Sequence, residues 1–205
     1  LDSSRQIKNI EYRPGYRYGS DCDFTNKEDL NLWTKTLVGK AMLMIADYTL
    51  GFDMGIYKCD SILLKKHAFI EAFPIELDEF SIGIRFENVV KNNIRKIGLI
   101  SADGENGCFF RLSDGAWLDY CFFKNGREQI LMREKINTIY QFNLHELKFP
   151  LCFKALKIDN PSFFIESHNV EDLKANPART EIHWLKVVGY GVINYDEYVT
   201  NGEVA

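Results

Sequence analysis

The stretch GCFFRLSDGAWLDYCFFKNGREQILMR, residues 107–133, decides the fold. Apolar runs of strand length flank Asp114-Gly115 and Asn125-Gly126. Two-residue type I′ turns need positive φ at both central positions, and Asn, Asp and Gly tolerate this best. The segment therefore reads as a three-stranded antiparallel meander. Two-residue turns also set its register: Cys108 stands opposite Cys121 across the first turn, and Lys124 opposite Arg127 across the second.

Alternation then sorts the side chains onto two faces. One face collects Cys108, Phe110, Leu112, Trp117, Cys121, Phe123, Ile130 and Met132, interrupted by Asp119 and Glu128, and reads as a core layer. The other holds Phe109, Arg111, Ser113, Leu118, Tyr120, Phe122, Gln129, Leu131 and Arg133. A mixed aromatic and basic face is either a covered second layer or a binding surface. On the second reading, Phe109, Arg111, Tyr120, Phe122 and Arg133 are the ligand-binding candidates.

Working outward, residues 80–87 have the cleanest period of two: Phe80, Ile82, Ile84 and Phe86 point one way, with Ser81, Gly83, Arg85 and Glu87 opposed. Further strands are expected at 41–46 and 54–59 around a turn at 51–53, and at 62–64, 68–73, 96–101, 138–144, 151–158, 162–166 and 180–189. One helical turn fits 27–30, and a short helix fits 170–175, ended by Asn176-Pro177. Residues 1–20 show no period and read as an N-terminal arm to a single domain over 21–205. Short strands without a repeated helical pattern favour an all-β, two-sheet antiparallel sandwich.

In its order of elements the chain resembles the concanavalin A-like lectin and glucanase jelly rolls over roughly residues 21–190. The resemblance rests on Asp23-Phe24 followed by Trp33, the strand at 80–86, Ile97-Gly98-Leu99-Ile100, the glycine-turned meander, and Glu181-Ile182-His183-Trp184-Leu185-Lys186-Val187. It implies a jelly-roll sandwich. Folds of this kind serve as sugar-binding modules, glycosidases and protein-contact domains, so the site has to decide the function.

Glu76-Leu77-Asp78-Glu79 is the catalytic candidate, because carboxylates two apart on a strand share a face and supply an acid and a nucleophile. Glycosidases of the resembled fold carry Glu-x-Asp-x-Glu or Glu-x-Asp-x-x-Glu, whereas Phe80 and Ser81 stand where the last Glu belongs. A solvated acidic turn is the better reading, and no catalytic residue is assigned. Oxygen donors at Asp103, Glu105 and Asn106, and at Asp21, Asp23, Asn26 and Asp29, lack the full calcium-loop pattern and read as hydrophilic turns.

His67, His145, His168 and His183 stand far apart without paired-ligand spacing. The five cysteines, Cys22, Cys59, Cys108, Cys121 and Cys152, are odd in number and lack CxxC, which leaves at least one thiol unpaired within the chain. Opposed as they are, Cys108 and Cys121 are either bonded or two packed thiols, and their Cys-Phe-Phe contexts favour packing. No glycine-rich phosphate loop is present, so neither a cofactor nor a metal is expected.

The 205 residues suffice for one well-buried domain, and 46% hydrophobic with 26% charged residues suits a packed globule. A net charge of -4 gives no general attraction to nucleic acid. No apolar run reaches the roughly 20 residues of a membrane-spanning helix. The chain reads as soluble, either cytoplasmic or exported after loss of a signal segment. Sugar sites combine an aromatic platform with polar groups, and Trp33, Trp117, Trp184 and Tyr12, Tyr16 and Tyr18 are the aromatics to compare, with Trp117 falling on the expected core face as packing. The expected function is non-catalytic recognition of a glycan or protein partner. The alternatives are a structural or protein-contact domain without a sugar site, and a divergent glycoside hydrolase using Glu76 and Asp78.

Overall fold

The computed structural model describes residues 11–22, 24, 27–46, 48–67, 75–86, 90–113, 117–136, 143–150, 158, 161–174 and 176–193. Its strands are β1 (Glu11–Cys22), β2 (Thr34–Val38), β3 (Met42–Ala46), β4 (Thr49–Asp53), β5 (Ser61–His67), β6 (Ile75–Phe86) and β7 (Asn93–Ile100). They continue with β8 (Gly107–Ser113), β9 (Trp117–Lys124), β10 (Arg127–Lys135), β11 (His145–Pro150), β12 (Ser162–Asn169) and β13 (Arg179–Ile193). Among the described residues the helical structure is one 3₁₀ segment, Lys27–Leu32.

Two antiparallel sheets form the sandwich. One has the order β11-β6-β13-β4-β3, with β1 also paired to β13, and the other runs β10-β9-β8-β7-β12-β5-β2. Half of the sequence expected to form an arm is thus strand β1, laid along β13 from Glu11↔Ile193 to Cys22↔Leu185.

The inner faces follow the alternation that the sequence shows. Phe80, Ile82, Ile84 and Phe86 of β6 are buried and meet Ile97, Leu99, Phe110, Phe163 and Ile165 of the facing sheet in one core cluster. Phe80 sits at its centre, 5.9 Å from the Phe110 ring and 6.2 Å from Phe163. Burial of each such side chain contributes about 1.5–3 kcal/mol. The structure confirms the two-sheet jelly-roll sandwich.

Four local expectations change. In the meander, the second turn is the expected two-residue loop, with Asn125 and Gly126 at φ 51° and 69°. The first is not: Ser113 pairs with Trp117, so three residues lie between the paired ends. That one-residue slip turns every side chain of β9 to the opposite face. Cys108 therefore pairs with Phe122, and Cys121 with Phe109; the two thiols point to opposite faces and both are free.

The turn expected at 51–53 is instead strand β4, and Tyr48, at φ 60°, lies in the connection that precedes it. The strand expected at 54–59 is a loop. Gly55 takes φ 57°, and the wholly buried Asp60 carboxylate accepts the N–H groups of Lys40 and Tyr57, each at 2.9 Å, so the chain wraps around it. No helix forms over 170–174. Backbone groups there bond outward instead, Val170 N–H to the Asn92 carbonyl and Leu173 N–H to that of Ile56. The expected strands at 68–73 and 151–157 lie outside the described residues, as do residues 138–142 of another.

Candidate functional site

The slip in β9 assembles the outer face of the seven-stranded sheet. Arg111 stands directly opposite Asp119 on β9, and Lys96 of β7 opposite Arg111. A bulge between Ile130 and Met132 in β10 then aligns Arg133 with Asp119. Four neighbouring strands thus bring Lys96, Arg111, Asp119, Glu128 and Arg133 into one strip.

Its geometry is that of a charge network centred on Asp119. Arg111 donates from Nε and Nη2 to Asp119 Oδ2 at 3.1 and 2.8 Å, and Arg133 donates from Nε to Oδ1 at 2.6 Å and from Nη2 to Oδ2 at 3.0 Å. Arg111 Nη1 also pairs with Glu128, whose other oxygen accepts from Lys96 Nζ at 3.2 Å. Burial alone would raise the Asp119 pKa. The hydrogen bonds and charges of Arg133 and Arg111 outweigh it and hold the carboxyl below its ordinary range.

Aromatic rings flank the strip at both ends. The Arg133 guanidinium lies 5.6 Å from the centroid of Trp117, a side chain 39% exposed. At the other end Lys96 Nζ stands 5.1 Å over Phe109 and 6.0 Å from Phe123. Cations over ring faces add about 0.5–1 kcal/mol each at exposed sites and fix the rings in place. Beneath Lys96, Phe109, Cys121 and Phe164 form a small buried cluster of their own. Beyond it Glu166 meets His168 Nδ1 at 3.2 Å, and this hydrogen bond lowers the Glu166 pKa.

Of the five ligand-binding candidates, Arg111 and Arg133 present surface on this face, and Phe109 lies on the same side of the sheet but is wholly buried. Tyr120 and Phe122 turn inward with the slip and pack on the core, where the Tyr120 ring meets Phe110 edge-on at 5.0 Å. Trp117, expected in the core, is instead on the outer face. Trp33 is core, 3% exposed and stacked on Phe24. The residues that the sequence reading missed are Asp119, Glu128, Lys96 and Trp117 as site members. A signal for two of them was present: Asp119 and Glu128 interrupted an otherwise apolar face, and the slipped register moves both beside Arg111.

The backbone of Glu76 and Asp78 lies on β6, in the other sheet. A register irregularity between Val188 and Gly189 falls opposite Asp78. Asp103 accepts from the Ser101 hydroxyl and the Glu105 N–H, closing its own turn. Among the described residues no three His, Cys, Asp or Glu side chains gather as a metal site.

No protein family and no curated protein matches the sequence. Solved structures do match in fold. The catalytic domain of an endo-1,3-beta-glucanase (laminarinase) from Thermotoga petrophila RKU-1 superposes with a TM-score of 0.61 at 9% identity, over 88% of this chain and 98% of that one. An endo-beta-1,3-glucanase from Pyrococcus furiosus gives 0.60 at 10% identity, over 90% and 97%. An apo transglycosylase gives 0.59 at 12%, over 86% and 88%. The likeness is one of fold, the concanavalin A-like jelly roll.

Proposed function

We propose that this chain is a non-catalytic recognition domain that binds a glycan on the outer face of the seven-stranded sheet, between Trp117 and the partly exposed Phe123. The observation that carries the reading is the Asp119 network. It holds two guanidinium groups in fixed orientation beside a partly exposed indole, an aromatic surface with a few convergent polar groups. Rigid strands supply every member, so little ordering entropy opposes binding.

On this face the state of the carboxylates supports recognition over hydrolysis. A glycosidase needs one carboxyl kept protonated near neutral pH by a raised pKa. Here Asp119 and Glu166 are both held low by cationic or imidazole partners, and Glu128 is paired to Arg111 and Lys96. The fold likeness to glucan-acting proteins makes a glycan the first partner to try.

A glycan array followed by titration calorimetry tests this. Trp117→Ala and Arg133→Ala each weaken binding of any glycan found by about tenfold, the size of one lost aromatic or charged contact. Binding to no glycan counts against the reading and leaves a protein-contact domain. The fold likeness to catalytic domains also favours a second reading, a divergent hydrolase. Release of reducing sugar from β-glucans that disappears in Glu76→Gln would establish it.

A further inference from the structure

Strand β10 closes one end of the seven-stranded sheet, and among the described residues no strand pairs with its free side. Ile130, Leu131 and Met132, in mid-strand, are 46%, 49% and 45% exposed, and the burial pattern of the strand is open almost throughout. Edges that stay single are blunted by charge or proline where a partner would land. Here the charges stand at the two ends, Arg127-Glu128 and Arg133-Glu134-Lys135, and the centre is apolar.

A bulge also commonly blunts an edge, but in β10 it decides what the edge fits. An antiparallel strand paired with a twofold copy of itself must oppose residues that share a face. On a regular strand such residues lie an even number of positions apart. The full-length register would then set Glu128 against Glu134 and Arg127 against Lys135, and like charges would meet. Leu131 changes this, because it is an extra residue: Ile130 pairs with Cys121 and Met132 with the adjoining Tyr120. Faces therefore exchange across it. Glu128 and Arg133 both lie on the outer face, Glu128 against Arg111 and Lys96, Arg133 against Asp119. Arg127 and Glu134, opposite Lys124 and Leu118 of β9, share the other face.

We propose that the free side of β10 docks the β10 of a second copy of this chain, antiparallel about a twofold axis between Ile130 and Leu131. In that register Arg127 opposes Glu134, Glu128 opposes Arg133, Gln129 opposes Met132 and Ile130 opposes Leu131, each pair occurring twice. Every charged pair is of opposite sign and shares a face, and the exposed apolar residues meet at the axis. One step to either side sets Glu128 against Leu131 or Ile130 against Arg133. Arg127 and Glu134 make no ion pair among the described residues, so this register supplies each with a counter-charge. The two seven-stranded sheets join into one, with both Trp117 faces on the same side. A single strand pair is smaller than the roughly 1,200 Å² of a stable interface, so the dimer is weak, with Kd on the order of tens of micromolar. The inference rests on the strand edge and stands whether or not the Trp117 face binds a glycan.

Sedimentation equilibrium of the full chain over two decades of concentration tests this. The expected result is a monomer–dimer equilibrium that stops at the dimer. Arg127→Glu and Glu134→Lys each place like charges opposite one another, away from the Asp119 network, and each weakens dimerisation about tenfold or more. Mixed in equal amounts, the two variants recover the wild-type affinity as a heterodimer, because each reversed charge then meets its opposite in the other copy. A chain that stays monomeric at millimolar concentration overturns the proposal and leaves the edge to a foreign strand. So does a dimer that neither substitution weakens, a mixture that recovers nothing, or assembly that continues past the dimer through another edge such as β2.

Discussion

Arg133 meets Asp119 across β10 and β9 at 2.6 Å, and the carboxylate is wholly buried although it points away from the core. Two guanidinium groups, rather than apolar side chains, cover it. That arrangement makes a surface rigid without making it apolar.

The same pair carries a pH dependence. The folded Asp119 pKa is depressed, so its contribution to stability is present above the unfolded value of about 4 and is lost as pH falls through the folded one. Asp119→Asn removes that contribution and costs roughly 1.5–3 kcal/mol at pH 7, the scale of hydrogen bonds to charged groups. Urea denaturation at pH 7, 5 and 3 should show the gap between wild type and variant narrowing below about pH 4. A gap of constant size over this range would refute the linkage.

Gly98 and Gly104 should respond differently to alanine. A Cβ at Gly98 falls 2.0 Å from the Cys108 carbonyl oxygen and 2.5 Å from Phe109 Cβ, so the β7–β8 ladder itself must move. The expected cost is about 1–3 kcal/mol or more. At Gly104 nothing lies within 4 Å, and only its φ of 77° opposes a side chain, for about 1 kcal/mol. Thermal melts of the two variants check the order, and equal losses would show that the β7–β8 approach is looser than the geometry indicates.

Hydrophobic period made the sandwich legible. Phe80, Ile82, Ile84 and Phe86 read correctly because both their alternation and their burial are local facts of one strand. The site was less legible because it depends on how many residues fill one turn. Asn125-Gly126 fixes a two-residue loop, whereas Asp114-Gly115 admits a third residue, and that residue decides whether Arg111 faces Leu118 or Asp119. The bulge that aligns Arg133 with Asp119 has no signature in Ile130-Leu131-Met132. Trp184 was visible as one aromatic among several, but its seat on Gly83 needed the register between β6 and β13.

Thiol labelling separates the described cysteines. Burial pushes the Cys108 thiol far up and Cys121 up to about 12, while Cys59 is exposed. The thiolate is the reactive form, so iodoacetamide at pH 8 should modify Cys59 in the native protein and reach Cys108 and Cys121 only after denaturation. Peptide mapping by mass spectrometry reads this directly. Native labelling of Cys121 at a rate near that of Cys59 would mean that the small cluster with Phe109 and Phe164 opens readily.

Arg95 presents the sharpest test of how the two sheets are joined. It is 1% exposed on the inner face of β7, and burial lowers its pKa to about 9, which leaves it protonated at neutral pH. Its Nε donates to Asn93 Oδ1 at 2.9 Å, and its Nη1 reaches across to β13, donating to the Arg179 carbonyl at 3.1 Å and Thr180 Oγ1 at 2.9 Å. Arg95→Ala leaves those acceptors buried beside a cavity and should cost about 3–5 kcal/mol. Arg95→Met fills most of the volume and removes a desolvated charge, so it should cost much less. Urea midpoints of the two variants decide which effect governs. If Met is as damaging as Ala, the hydrogen bonds from β7 to β13, rather than filled space, hold the sheets together at this end.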